Sequence, residues 1–307
     1  MRNFVKIVLI SFSLTLFLNS CSDLDYSEQL NYEDRIFDNY LVIHNITTEP
    51  TESGLYYIEE VEGTGAAPGP DDWVIINYTM LTVEDEQLVM TTDSVKALNY
   101  GLFDSRILYG ANKVGIGYNI AGLDEGLSLM KEGGEATLLF KSDLGYGGST
   151  AGSVVSFSSL IIHVELVEVF ADPVVNEYKK TIDYLEENEY STDTTESGIY
   201  YVPIIEGTGD AIDEADYVKI NIKVSLLDGR LIYLANSISF EIGTAEYDSS
   251  FGLSEGIKLM LEGGISRIIV PYNYAFGFGF TSYDGYYKVP IPPYSTIVYD
   301  VELISSY

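Results

Sequence analysis

The feature that most limits what this chain can fold into is an internal repeat. Thr51-Glu52-Ser53-Gly54-Leu55-Tyr56-Tyr57 returns as Thr195-Glu196-Ser197-Gly198-Ile199-Tyr200-Tyr201, and Gly63-Thr64-Gly65 returns as Gly207-Thr208-Gly209 at the same offset. A chain that writes one unit twice must build one architecture twice, so the fold has to fit about half of the 307 residues. Tyr40-Leu41 matches Tyr184-Leu185 at this offset, which makes the acidic amphipathic segment ahead of each block part of the unit. In the second copy Asp172 is placed to N-cap a helix with Pro173 at its first position. Val174, Tyr178, Ile182 and Leu185 then recur at helical spacing and form the expected buried stripe. The units therefore meet near Phe170-Ala171.

Gly122-Leu123-Asp124-Glu125-Gly126, with Met130 and Gly133-Gly134, matches Gly252-Leu253-Ser254-Glu255-Gly256, with Met260 and Gly263-Gly264, at an offset shorter by fourteen residues. The first unit thus carries extra chain between Leu81 and Asn119, and the stretch Ala97-Leu98-Asn99-Tyr100-Gly101 reads as a long flap. Val164-Glu165-Leu166 matches Val301-Glu302-Leu303, which places seven added residues after Gly277 in a Gly- and Tyr-rich loop, Phe278 to Lys288. Between these markers the period is two. Val218, Ile220, Ile222, Val224 and Leu226 alternate with polar residues, as do Ile297, Tyr299, Val301 and Leu303, the pattern of half-buried strands. Leu123, Leu127 and Met130, and likewise Leu253, Ile257 and Met260, stand at i, i+4 and i+7 and predict a short helix laid on the sheet. The fold class is α+β: two units, each an antiparallel sheet wrapped over a short helix, each preceded by an amphipathic helix. The expected division is residues 1–20 as leader, 21–50 as tether and helix, 51–170 as the first unit, 171–197 as linker helix and 198–307 as the second unit.

Sixteen Lys+Arg against forty-seven Asp+Glu give a net charge of −31, which repels phosphate backbones and anionic headgroups, so nucleic acid is not an expected partner. His44, His163 and Cys21 cannot supply a His/Cys metal site, a disulfide framework or a Ser-His pair in both units. No metal and no cofactor is expected. Asp210, Asp213, Glu214 and Asp216 lack the spacing of a calcium loop and read as solvated chain, and His163 reads as a solvent-side strand residue. Arg2 and Lys6, followed by the apolar run Ile7–Phe17, make a signal peptide too short to remain as a membrane span. It ends in Leu18-Asn19-Ser20-Cys21, which resembles the lipobox of bacterial lipoproteins and makes Cys21 the lipidation site and the sole membrane anchor, placing the protein in the bacterial cell envelope, on the periplasmic or surface face of the outer membrane.

The ordered motifs Gly-x-x-Glu-Gly-x-x-x-Met-x-x-Gly, then Leu144-Gly145-Tyr146-Gly147 or Tyr274-Ala275-Phe276-Gly277, then Ile291-Pro292-Pro293-Tyr294-Ser295-Thr296 running into Val301-Glu302-Leu303, resemble FKBP-type peptidyl-prolyl cis-trans isomerases over roughly Gly54–Phe170 and Gly198–Tyr307. The resemblance implies rotation about X-Pro bonds of proline-containing polypeptides, whose unaided barrier is about 18–20 kcal/mol. It also implies an apolar pocket that disfavours the dipolar planar amide, with a few donors to hold the twisted carbonyl. In the first unit it assigns the strand tyrosine to Tyr78, the carbonyl-binding hydroxyl to Tyr146 and the donor amide to Ile120. Leu123 then stands for the floor tryptophan, Val89 and Met90 for the Phe-Asp dipeptide, and Ile162 for the final pocket aromatic, while Ser153–Phe157 lacks the Ile-Pro-Pro signature. Asp93 faces away from Met90 by strand alternation and is no replacement for the missing acid. In the second unit Ile222, Ile232, Tyr233, Ser250, Leu253 and Phe276 occupy the corresponding places, and only Tyr299 and Ile291-Pro292-Pro293 keep the family pattern.

Two functions are compatible with these residues. One is an envelope isomerase and folding helper with an attenuated pocket in the first unit and a degenerate one in the second. The alternative is a non-catalytic lipoprotein that holds polypeptide, or glycan, in its two grooves; the twenty-six tyrosines suit such a face, and equally suit strands.

Overall fold

The computed structural model describes residues 26–212, 217–243, 251–277, 280–281 and 290–307. The leader, Cys21, Asp213, Glu214, Asp216, Ser250 and most of the loop from Phe278 to Lys288 lie outside the described residues.

The first unit runs α1 (Tyr26–Ile43), β1 (Tyr56–Val61), β2 (Trp73–Thr82), β3 (Leu88–Thr91), α2 (Ser94–Asn99), β4 (Asn112–Gly115), α3 (Ala121–Leu129), β5 (Glu135–Phe140) and β6 (Leu160–Phe170). The second runs α4 (Pro173–Glu187), β7 (Tyr200–Ile205), β8 (Tyr217–Leu226), β9 (Leu231–Glu241), α5 (Phe251–Ile257), β10 (Ile265–Val270), β11 (Phe280–Thr281), β12 (Pro290–Ile291) and β13 (Ile297–Ser306). The sheets are antiparallel, ordered β1-β5-β6-β2-β3 with β4 also on β2, and β7-β10-β13-β8-β9, so the repeat is structural as well as textual. The alternation in β8 and β13 is observed: Val218, Ile220, Ile222 and Val224 are buried, as are Ile297, Tyr299, Val301 and Leu303.

One face of each sheet is covered by its short helix. Leu123, Leu127 and Met130 meet Leu138, Phe140 and Ile162 in one core; Leu253, Ile257 and Met260 meet Ile268, Val270 and Tyr299 in the other. The helix glycines are there because the sheet comes so close: a Cβ on Gly126 would lie 2.3 Å from Leu138, and one on Gly256 would lie 2.4 Å from Ile268. The opposite face is covered by the leading helix, with Phe37 of α1 against Leu139 and Ile161, and Leu185 of α4 against Ile269 and Val298.

Two expectations are corrected. Asp172 caps α4 through its side chain, accepting from the Val174 and Val175 amides, and Pro173 opens the helix. Its buried stripe, however, is Pro173, Glu177, Thr181 and Leu185, while Val174 and Tyr178 are 37% and 61% exposed. The stripe turns because Glu177 finds buried partners, which removes the usual cost of burying a carboxylate. Nor is the stretch around Ala97 a flap. Asp93 caps α2 by accepting from the Val95 and Lys96 amides, and Ala97 is buried. The single strand β9 of the second unit pairs along β8; in the first unit that place is divided between β3 and β4, with the added chain between them.

That added chain joins the units. Leu108, 8% exposed, belongs to the apolar cluster of the second unit. Close by, buried Lys113 of β4 pairs with Glu177 of α4 at 2.7 Å, and the other Glu177 oxygen accepts from the Thr296 amide at 2.7 Å. Burial pushes the Lys113 ammonium below its ordinary pKa, and Glu177 opposes that shift. Trp73 meets Tyr294 edge to face across the same junction.

Candidate functional site

β2 alternates, so Tyr78 projects into the core while Asn77 and Thr79 face the other side. On the face that α3 covers, Tyr78, Val89, Ile120 and Tyr146 are partly buried side chains in one cluster with buried Leu123 and Ile162. The structure thus collects all of these predicted residues of the first unit on one face. Met90, half exposed, lies at the rim, and its Sδ accepts from the Tyr78 hydroxyl at 2.7 Å. A thioether therefore occupies the acceptor position that the resemblance gives to a carboxylate, and sulfur is a weak acceptor.

The Tyr78 phenol is pushed up to about 12, first by burial and further by the adjacent Tyr146, while a hydrogen bond with Asn112 acts the other way. It stays a protonated donor at neutral pH. Ile120 opens α3 as its N-cap residue, its carbonyl accepting from the Leu123 and Asp124 amides. Asp124 closes the preceding turn by accepting from the Asn119 amide and side chain. Among the described residues nothing accepts from the Ile120 amide, so the donor is open.

Tyr146 sits in a turn fixed by its own backbone: the Gly145 and Gly147 amides both donate to the Ser142 carbonyl, at 2.9 and 2.7 Å. Downstream, Val154 is buried and the Phe157 amide returns to the Gly147 carbonyl, so Ser153–Phe157 packs without the Ile-Pro-Pro signature.

The second unit repeats the scaffold with other chemistry. Ile222, Leu253, Ile291 and Tyr299 are buried, and Ile232, Tyr233 and Phe276 pack against them partly exposed. Val224 pairs with Tyr233 as Met80 pairs with Met90, which fixes the correspondence of the two rims. Burial raises the Tyr299 phenol well above its ordinary pKa. At the two places where the first unit offers Tyr78 and Tyr146, the second offers Ile222 and Phe276, with no hydroxyl at either.

A groove of about 750 Å³ on the first unit is lined among others by Asn77, Tyr78, Thr79, Asp93, Lys96 and His163. Its lining is mainly polar, with Tyr78, Tyr109, Ala136 and Val164 as the less polar members. His163 stands there as an exposed strand residue, bonded through Nδ1 to Thr137 at 2.7 Å; burial lowers its pKa and Glu60 counters. Among the described residues no cluster of His, Cys, Asp and Glu could hold a metal ion.

Sequence reasoning missed Asn112, which reaches the Tyr78 hydroxyl from β4, and Glu33, whose buried carboxylate accepts from the Ser142 amide and the Ser142 and Ser159 hydroxyls. Glu33 was findable. It lies at the repeat offset from Glu177, a charged residue kept twice on the inner side of a helix.

The family model for FKBP-type peptidyl-prolyl cis-trans isomerases matches residues 66–167 and 209–304. The chain is 24% identical over 250 residues to human peptidyl-prolyl cis-trans isomerase FKBP9, covering 76% of this chain and 38% of that protein. It is 29% identical over 132 residues to FkpA of Escherichia coli K12, covering 38% of this chain and 40% of that one. The chain thus spans about two fifths of the length of these curated relatives. Among solved structures, the three FKBP domains of wheat FKBP73 are similar at 21% identity and a TM-score of 0.33, over 83% of this chain and 96% of that one. Among described residues, no helix is long and apolar enough to cross a membrane.

Proposed function

The chain belongs to the FKBP-type peptidyl-prolyl cis-trans isomerase family, and from that premise we propose that its first unit, residues 51–170, is an attenuated prolyl isomerase and its second, residues 198–307, a groove that binds polypeptide without turning it over. The observation that carries this reading is the contrast between the units: two phenols beside an apolar floor in one, Ile222 and Phe276 in the other. In the first unit the X-Pro amide enters between Tyr78, Ile120 and Tyr146, over Leu123 and Ile162. The apolar surroundings disfavour its planar, more dipolar form, and the Tyr146 hydroxyl and Ile120 amide donate to the carbonyl as it twists. Met90 in place of an acid lowers the rate. The segment 171–197, which contains α4, links the units, and diacylglycerol on Cys21 anchors the protein in the bacterial envelope, where exported proline-containing chains are the clients.

The non-catalytic reading is favoured by the second unit, whose aromatic and aliphatic rim suits holding apolar chain. The deciding experiment is proline-limited refolding catalysed by the full chain and by Tyr146→Phe. Loss of such a donor costs up to about 10²–10³ in favourable sites; in a pocket without its acid, about tenfold in kcat/KM is expected, with peptide affinity preserved. Equal turnover by the two proteins would remove the first unit's pocket from the mechanism.

A further inference from the structure

α1 lies ahead of the first family-matched region, yet one of its side chains reaches the turn that carries Tyr146. Glu33 is 5% exposed, and its carboxylate accepts three hydrogen bonds: from the Ser142 amide at 2.6 Å, the Ser142 hydroxyl at 2.8 Å and the Ser159 hydroxyl at 2.7 Å. The neighbouring cation, Lys141, is paired instead with Asp34 at 2.6 Å. A buried carboxylate is kept only where its partners are fixed, because an unpaired one is expensive. Here the fixed partner is the first residue of the turn. Ser142 receives Glu33 through its amide and hydroxyl, and its own carbonyl receives the Gly145 and Gly147 amides on either side of Tyr146.

We propose that Glu33 is a positioning residue for Tyr146, clamping from the leading helix the turn that presents the phenol to the substrate carbonyl. The proposal rests on the reading of Tyr146 given above. The second unit is its internal control: Glu177, at the matching place, gives one oxygen to the Thr296 amide and the other to Lys113, and the turn residue corresponding to Ser142 is Tyr272. Among the described residues, the unit with Phe276 at the place of Tyr146 has no such clamp.

The test compares Glu33→Ala, Glu33→Gln, Ser142→Ala and Ser159→Ala in the full chain. The last two each remove one hydroxyl from the same carboxylate, but only Ser142 belongs to the turn. Two readouts are taken: kcat and KM, and the ring resonance of Tyr146 in tyrosine-labelled protein, identified by its loss in Tyr146→Phe. Glu33→Ala and Ser142→Ala should shift or broaden that resonance, and the first should lower kcat about fivefold to tenfold with KM little changed. Glu33→Gln, which can still accept from the turn, should retain most activity, and Ser159→Ala should leave the resonance in place. Adding Tyr146→Phe to Glu33→Ala should cost no more than about twofold further, far short of the product of the two effects, since both act through one hydroxyl. If Glu33→Ala does not fold, Ser142→Ala decides. An unmoved Tyr146 resonance in both, or equal displacement by Ser159→Ala, overturns the proposal. A wild-type chain without turnover defeats the parent reading instead, and the resonance comparison still decides the clamp.

Discussion

Met90→Asp is the substitution whose effect can be worked most directly from the structure. The Tyr78 hydroxyl already donates to Met90 Sδ at 2.7 Å, and a carboxylate oxygen stands the same number of bonds from the backbone as that sulfur. The introduced group therefore reaches the same donor with a short adjustment, within the spacing usual for O–H···O⁻ bonds. Hydrogen bonds to charged groups are worth about 1.5–3 kcal/mol against about 0.5–1.5 for neutral ones. If the difference of about 1 kcal/mol acts wholly in the transition state, turnover rises about fivefold. Met90 is 50% exposed, so the carboxylate stays half solvated and no large desolvation penalty arises. The stability lost with its half-buried side chain is about 1 kcal/mol.

The pH dependence has a definite sign. An ionised carboxylate that accepts from Tyr78 has its pKa lowered, so the gain is present above the carboxylate range and disappears as pH falls through it, near or below about 4. Tyr78, whose phenol burial already pushes up to about 12, remains a donor throughout. The assay is proline-limited refolding from pH 4 to 8, alongside thermal unfolding. A folded variant whose kcat/KM is unchanged or lower at pH 7 refutes the assignment of Met90 to the acid's place.

Two further outcomes follow from other parts of the molecule. Leu108→Ala removes a buried side chain of the first unit's added segment from the second unit's core, and buried Leu→Ala changes cost about 2–5 kcal/mol; urea unfolding followed by probes in each unit should show the loss in the second, and a change below about 0.5 kcal/mol would mean that Leu108 does not hold the junction. Cys21→Ser should release the protein from membranes, because each buried methylene of an attached acyl chain contributes about 0.8 kcal/mol; a variant that still pellets with membranes after a high-salt wash excludes the lipid anchor.

What the sequence reveals here is what repeats with a period. Val218 to Leu226 alternates because both faces of a strand are sampled in turn, and the helix glycines Gly126 and Gly256 recur because the same close approach occurs twice. The added segment was legible as length but not as shape. Asp93 is an N-cap only once the chain turns after Thr92, and Ala97 is buried only against neighbours from distant strands. The stripe of α4 was misread for a related reason. Hydropathy ranks Val174 and Tyr178 as inward residues and Glu177 as outward, whereas burial follows the partners available, and Lys113 comes from more than sixty residues away. Asn112 stayed invisible because its approach to the Tyr78 hydroxyl depends on the pairing of β4 with the first half of β2.

The duplicated glutamate shows how one scaffold can take two roles. A carboxylate has two oxygens, and in each unit one of them accepts from the segment entering the last strand, Ser159 in the first and Thr296 in the second. The other oxygen is free to differ. In the first unit it takes the Ser142 hydroxyl, and the Ser142 amide shares the oxygen that accepts from Ser159, so both oxygens bind α1 to the turn of its own groove. In the second it takes Lys113, so α4 is bound to the neighbouring unit. Breaking such a buried pair by removing one partner costs about 3–5 kcal/mol, so neither Lys113 nor Glu177 is replaced alone without a loss of that order. With its two oxygens accepting from Thr296 and Lys113, Glu177 makes no hydrogen bond to the second unit's turn among the described residues. Phe276 at the place of Tyr146, and Tyr272 packed against Tyr294 at 5.3 Å, are what a turn held by aromatic packing can support. The same glutamate thus ties its helix to its own unit's turn in one copy and to the neighbouring unit in the other.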